Sequence, residues 1–223
     1  MPNKNAIDHY EKMAEHYDET VATAGYHLAT EVYDWLKPYI TEDRKTVLDL
    51  GIGSGLSSEQ FQKRGFIITG VDGSEAMLEQ CRAKKIGTTL IQADLSDGTI
   101  PIIEEKFDII LCIGMFEFIL EPATFLKSVS ALAAPNALLV LVIRDPALNP
   151  QFTSMRLGAN TIDRVAYEQD GVIAVHHQWS DVKQYLDDGS FTVLEERQLI
   201  AYKSPTQHFD TVNRVVFCRY TGQ

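Results

Sequence analysis

The chain has 223 residues, 45% of them hydrophobic and 23% charged, which suits a single globular α/β domain able to bury roughly 70% of its unfolded surface. No apolar run approaches the ~20 residues of a membrane-spanning helix, and the opening MPNKNAIDHYEKMAEHYDE is polar and acidic where a secretion signal needs a basic start and an apolar middle, so a cytoplasmic protein with no membrane partner is expected. The formal charge of −11 argues against a nucleic-acid partner, and Cys81, Cys112 and Cys218 are too widely spaced for a paired metal or redox motif, so free thiols and no metal site are expected.

The first 40 residues or so read as helical, with tyrosines at Tyr10, Tyr17, Tyr26 and Tyr33. Short apolar runs follow at 47–50, 66–71, 89–92, 107–113 and 137–143, as expected of strands buried on both faces. Between them lie helical patterns. Ser74 is placed to cap EAMLEQCRAKK, which should stop before Gly87, and Pro122 opens a helix that carries Leu126, Val129 and Leu132 on one face and ends at Pro135. This βαβ alternation predicts a doubly wound, mainly parallel sheet. Segment 146–179 breaks the alternation: RVAYEQDGVIAVHH reads as a hairpin turning at Asp170-Gly171. Two longer β-like runs, 192–202 and 211–220, read as an antiparallel pair closing one edge. With no repeat or Gly/Ser linker, one domain over 1–223 is expected, with 1–40 and 146–179 as additions over the sheet.

The stretch VLDLGIGSG sets Gly51, Gly53 and Gly55 at the end of the first strand, and glycine there opens backbone angles closed to other residues and lets a ligand lie against bare main chain. Two ligands compete. A dinucleotide needs G-x-G-x-x-G, and the third glycine here is displaced. Asp72, ending the second strand about 20 residues after Gly51, is placed to accept from both hydroxyls of a ribose. Asp94, ending the third, is placed to accept from an adenine amino group. Successive strand ends thus offer bare main chain, a diol acceptor and a purine acceptor.

At these residues the sequence resembles the class I S-adenosylmethionine-dependent methyltransferases: VLDLGIGSG, GVDGSEAML, IQADLSD and FDIILCIGMFEFI match their four motifs in order, over residues 47–145. The resemblance implies a Rossmann-like sheet of seven strands with an antiparallel C-terminal strand pair, S-adenosylmethionine as cofactor and methyl transfer to a small-molecule acceptor. By position it assigns Gly51, Gly53 and Gly55 to the methionine part, Asp72 with Gly73 to the ribose, and Ala93, Asp94 and Leu95 to the adenine. It sets Met77 near the adenine, Ile113 against the cofactor and Asp49 beneath the loop or, through water, on the cofactor's ammonium. It makes 1–40 a lid in which Tyr17 and Tyr26 face the sulfonium, and 146–179 a wall of the acceptor pocket.

Candidates for a proton-accepting residue are His176, His177 and His208, with Glu117 and Asp145 at strand ends. The missing Asn/Asp-Pro-Pro-aromatic motif after the fourth strand argues against base amino-methylation, and the neighbourhood of Met115, Phe116 and Phe118 favours a small, partly apolar acceptor. A nicotinamide-dependent oxidoreductase on a similar sheet and a non-catalytic S-adenosylmethionine-binding protein stand as the alternatives.

Overall fold

The structure is a computed structural model that describes residues 4–150, 165–169, 172–203 and 210–222. Seven strands form one sheet: β1 (Thr46–Leu50), β2 (Ile67–Asp72), β3 (Thr89–Gln92), β4 (Phe107–Cys112), β5 (Ala133–Ile143), β8 (Phe191–Lys203) and β9 (Asp210–Tyr220). Their order is β3-β2-β1-β4-β5-β9-β8. β3, β2, β1, β4 and β5 pair in parallel, and β9 is antiparallel to both β5 and β8. The chain order reverses at β1, so the switch between β1 and β4 opens a crevice at their carboxyl ends, where open α/β sheets bind ligands.

The central strands are apolar on both faces because both are covered. One core joins Leu48, Leu50, Ile110 and Leu139 to α6 (Pro122–Leu132) and α7 (Trp179–Asp188). The other joins Val47, Ile109 and Val140 to α3 (Leu28–Leu36) and α5 (Glu75–Lys84). Leu50, Val71 and Leu111 are fully buried, as strands sandwiched between helix layers require. Cys81, Cys112 and Cys218 are free and buried.

Ser74 caps α5, accepting from the Met77 amide at 3.1 Å, and Lys85 ends it at φ 59°. The expected end of α6 moves from Pro135 to Leu132: Ala133 already pairs with Phe107, and a register break carries Pro135, which has no N–H to give the ladder, and Asn136 at φ 61° before pairing resumes at Leu138. After the glycine loop only a short helix forms, α4 (Glu59–Gln62), of four residues. The helix α7 is additional to the sequence reading, marked in the sequence by Trp179, Val182 and Leu186, which are its buried face.

The N-terminal segment forms α1 (Lys4–Met13), α2 (Tyr17–Thr23) and α3. β6 (Val165–Gln169) and β7 (Val172–His176) pair antiparallel as a separate two-stranded sheet, while the turn at Asp170-Gly171 and His208 lie outside the described residues. Among the described residues no helix is long and apolar enough to cross a membrane, and no group of His, Cys, Asp and Glu could hold a metal ion.

Candidate ligand site

β1 runs out at Leu50, and Gly51, Gly53 and Gly55 follow at φ of 75°, 55° and 93°. These left-handed turns, accessible to glycine at little cost, fold the chain back across the sheet end. The amides of Gly51 and Ile52 both donate to the Val71 carbonyl, at 2.8 and 3.1 Å. The Gly53 amide donates to Asp72 Oδ2 at 2.8 Å, while Asp72 Oδ1 accepts from the Ser74 amide at 2.9 Å. Asp72 therefore ties the glycine loop to the start of α5.

The three glycines face different surroundings. A Cβ on Gly51 would stand 2.5 Å from Met115 Cγ, and one on Gly55 would meet Ile86 at 3.0 Å and Cys81 Sγ at 3.1 Å; on Gly53 it would find no atom within 4 Å. Of the three, Gly53 offers open main chain, Gly51 lets Met115 pack down, and Gly55 faces the core side.

Asp49 lies fully buried beneath this loop, where its Oδ2 accepts from Ser57 Oγ at 2.5 Å and Ser58 Oγ at 2.6 Å. Burial pushes its carboxyl from the ordinary 3.8 up to about 6, against the two hydroxyls that pull it down. Burial also raises Asp72, opposed by the amides of Ser74, Gly53 and Gly73.

A cavity of about 900 Å³, counted with its mouth, opens against these strand ends. Gly51, Ile52, Gly53 and Ser54 line it from β1, Asp72, Gly73 and Met77 from β2 and α5, Ala93, Asp94, Leu95 and Ser96 from β3, and Ile113, Gly114 and Met115 from β4. The N-terminal segment supplies Ala6, Ile7 and Tyr10 from α1, Tyr17 from α2 and Tyr26 from the α2–α3 connection as its roof, with Phe118 and Ile119 beside them. Tyr10 holds this aromatic wall together edge-to-face, its ring centroid 6.0 Å from Tyr17 and 5.7 Å from Phe118. A Cβ on Gly73 would come within 2.7 Å of Ile7, so the roof sits directly on the strand end.

Of the residues singled out in the sequence, Gly51, Gly53, Asp72, Gly73, Met77, Ala93, Asp94, Leu95, Ile113, Tyr17 and Tyr26 share this one cavity, and Asp49 and Gly55 lie behind it. The four described candidate bases do not line it. Glu117 pairs with Arg144 at 3.0 Å and Asp145 with Arg214 at 2.7 Å. His177 Nε2 lies 3.0 Å from the Ile119 carbonyl, its ring tilted at 60° against Phe116 with centroids 4.9 Å apart. His176 is fully buried, and burial with the nearby Arg144 charge pushes its imidazole down to about 3. Tyr10, Ile7 and Ser54 were not singled out for the cavity. Tyr10 lies on the tyrosine-bearing helix where a core role reads equally well, and Ser54 stands between two of the glycines.

Residues 48–141 match the methyltransferase domain family. A ubiquinone biosynthesis O-methyltransferase of Histophilus somni is 38% identical over 103 residues, 43% of this chain and 43% of that protein, and one of Coxiella burnetii is 35% identical over 104 residues, 46% and 44%. The matches thus span less than half the length of these relatives. In fold, the chain is similar to an S-adenosylmethionine-dependent methyltransferase of Clostridium acetobutylicum, at TM-score 0.70 and 16% identity over 96% of this chain and 99% of that one. It is also similar to the magnesium protoporphyrin IX methyltransferase of Synechocystis with bound SAH, at TM-score 0.62 and 16% identity over 90% and 85%. Motifs, strand order and these likenesses agree: residues 48–141 match the methyltransferase domain family, on a fold shared with the S-adenosylmethionine-dependent methyltransferases.

Proposed function

We propose that the protein binds S-adenosylmethionine across the carboxyl ends of β1, β2 and β3 and transfers its methyl group to a small-molecule acceptor under the N-terminal roof. The observation that carries this reading is the shared cavity: Gly53, Asp72 and Asp94 come from three different strand ends and line one space. The fit is supported locally by Gly53, whose missing Cβ leaves open room at the loop, and by Asp72, whose carboxylate is held by two amides while it borders the cavity.

When bound, the cofactor supplies a methyl group already activated on a sulfonium. The chain's task is then to hold an acceptor in line with that carbon and keep water out, and orientation of this kind lowers a barrier by roughly 7–11 kcal/mol. In this reading Gly53 bears on the methionine part, Asp72 accepts from the ribose hydroxyls and Asp94 from the adenine amine. Tyr17 and Tyr26 turn aromatic faces or hydroxyls toward the cationic sulfur, an attraction of ~0.5–2 kcal/mol per ring. Met115, Phe118 and Ile119, with Tyr10, make the acceptor's side of the cavity apolar and aromatic. The relatives' O-methylation in ubiquinone biosynthesis puts hydroxyl oxygens first among acceptors to try. Residues 1–40 act as the lid, and the whole is one catalytic domain working in the cytoplasm without a nucleic-acid or membrane partner.

Calorimetry with S-adenosylhomocysteine tests the cofactor, with micromolar binding expected and none for NAD. Turnover of methyl-labelled cofactor against phenols, thiols and amines tests the transfer. Binding of NAD without the thioether refutes the proposal, and thioether binding without any accepted methyl turns it into that of a binding protein.

A further inference from the structure

The roof is fastened to the cavity by two carboxylates that the proposed reaction does not use. On α1, Glu11 accepts from Ser74 Oγ at 2.6 Å and from the Ala76 amide at 3.2 Å. Ser74 caps α5 and gives its own amide to Asp72. On α2, Asp18 accepts from Ser54 Oγ at 2.5 Å and pairs with Lys84 Nζ, which also donates to the Ser54 carbonyl at 2.9 Å. Ser54 lies beside Gly53 in the glycine loop and lines the cavity. One lid carboxylate therefore grips the loop under the proposed methionine part, and the other grips the turn that orients the proposed ribose acceptor.

We infer that Glu11 and Asp18 are positioning residues: they hold both ligand-gripping loops from the lid side, so that closing the lid and assembling the adenosyl site are one event. This rests on the S-adenosylmethionine reading above. Because such coupling is reciprocal, ligand in the site must hold the lid shut as firmly as the latches favour the ligand.

The test uses the full chain and S-adenosylhomocysteine. Glu11→Ala and Asp18→Ala each weaken binding about tenfold, the size set by charge-assisted hydrogen bonds, with faster dissociation and a melting temperature near wild type. Glu11→Gln restores most of the affinity, since its amide oxygen still accepts from Ser74 and Ala76, whereas Asp18→Asn keeps Ser54 and loses Lys84. The double alanine variant loses less than the product of the single losses, because either broken latch opens the same lid. Trypsin cleavage after Lys12 in the wild-type protein is slowed by the thioether. Wild-type affinity in both alanine variants, strictly multiplicative losses, or cleavage indifferent to the thioether each overturns the inference. An alanine variant that does not fold leaves the cleavage assay and the amide variants to decide. Failure of the wild-type protein to bind the thioether at all overturns the cofactor reading instead.

Discussion

Replacing Asp72 separates two jobs that one carboxylate performs. Its oxygens take the Gly53 and Ser74 amides at 2.8 and 2.9 Å, so Asp72→Ala leaves two partly buried donors without acceptors, at about 1–3 kcal/mol each. In a domain of this size that is a fall in melting temperature of roughly 5–15 °C. Asp72→Asn keeps one acceptor oxygen and turns its NH2 toward the other amide, so about half that loss is expected. Binding behaves differently: both variants lose the charged acceptor for the ribose hydroxyls, worth about 1.5–3 kcal/mol, or roughly 10- to 150-fold in the S-adenosylhomocysteine Kd. Thermal melting and calorimetry on the same samples measure the two effects. An Asn variant that melts lower yet binds within threefold of wild type would show that Asp72 clips the loop and touches no ribose.

The other expectations divide the loop and its surroundings by environment. Gly53→Ala sets its Cβ in open cavity at φ 55°, so stability falls by only about 1 kcal/mol while thioether binding drops at least tenfold; Gly51→Ala drives a Cβ to 2.5 Å from Met115 Cγ and lowers the melting temperature more, as paired melts and titrations will show. His176, held near 3 in the fold, makes the protein lose stability as pH falls below the ordinary 6.5, because the unfolded chain takes up the proton first. By pH 4.5 the loss reaches up to about 3 kcal/mol, and His176→Phe should flatten that limb of the denaturation profile. Asp49 has the opposite sign: raised from 3.8 to about 6, its protonated form favours the fold below pH 4 and that support is lost as pH rises through 6. Asp49→Asn should therefore remove a decline in stability between pH 4 and 6, read from urea melts at each pH; an unchanged slope would refute the assignment.

What could be read from the sequence follows from how strongly each residue is constrained. Strands buried on both faces must be nearly all apolar, so β1, β2, β4 and the later part of β5 announce themselves, and their order in a βαβ series fixes which ends share a crevice. Ser74 at the head of α5 is equally plain, since a capping hydroxyl before a helical pattern has few other uses. The α6–β5 junction is less so, because Ala133 and Ala134 fit a helix end as well as a strand start and pairing with Phe107 decides between them. α7 carries its buried stripe in Trp179, Val182 and Leu186, but that period is short and follows a segment of β-like residues.

The same distinction separates the floor of the site from its roof and its acids. Floor residues sit one step past a strand, where chain topology alone assigns them a place. Tyr10 and Ile7 reach the cavity through the docking of α1, and an amphipathic helix has the same spacing wherever it docks. Glu117 and Asp145 show why position by itself is not enough. Both follow strand ends, as Asp72 and Asp94 do, yet Arg144 and Arg214 stand against them, the second from 69 residues further along the chain. A carboxylate at a strand end is available to a ligand only when no cation claims it first; Arg144, directly after β5, claims Glu117, and the antiparallel return of β9 beside β5 brings Arg214 to Asp145, a pairing made far from the motif it affects.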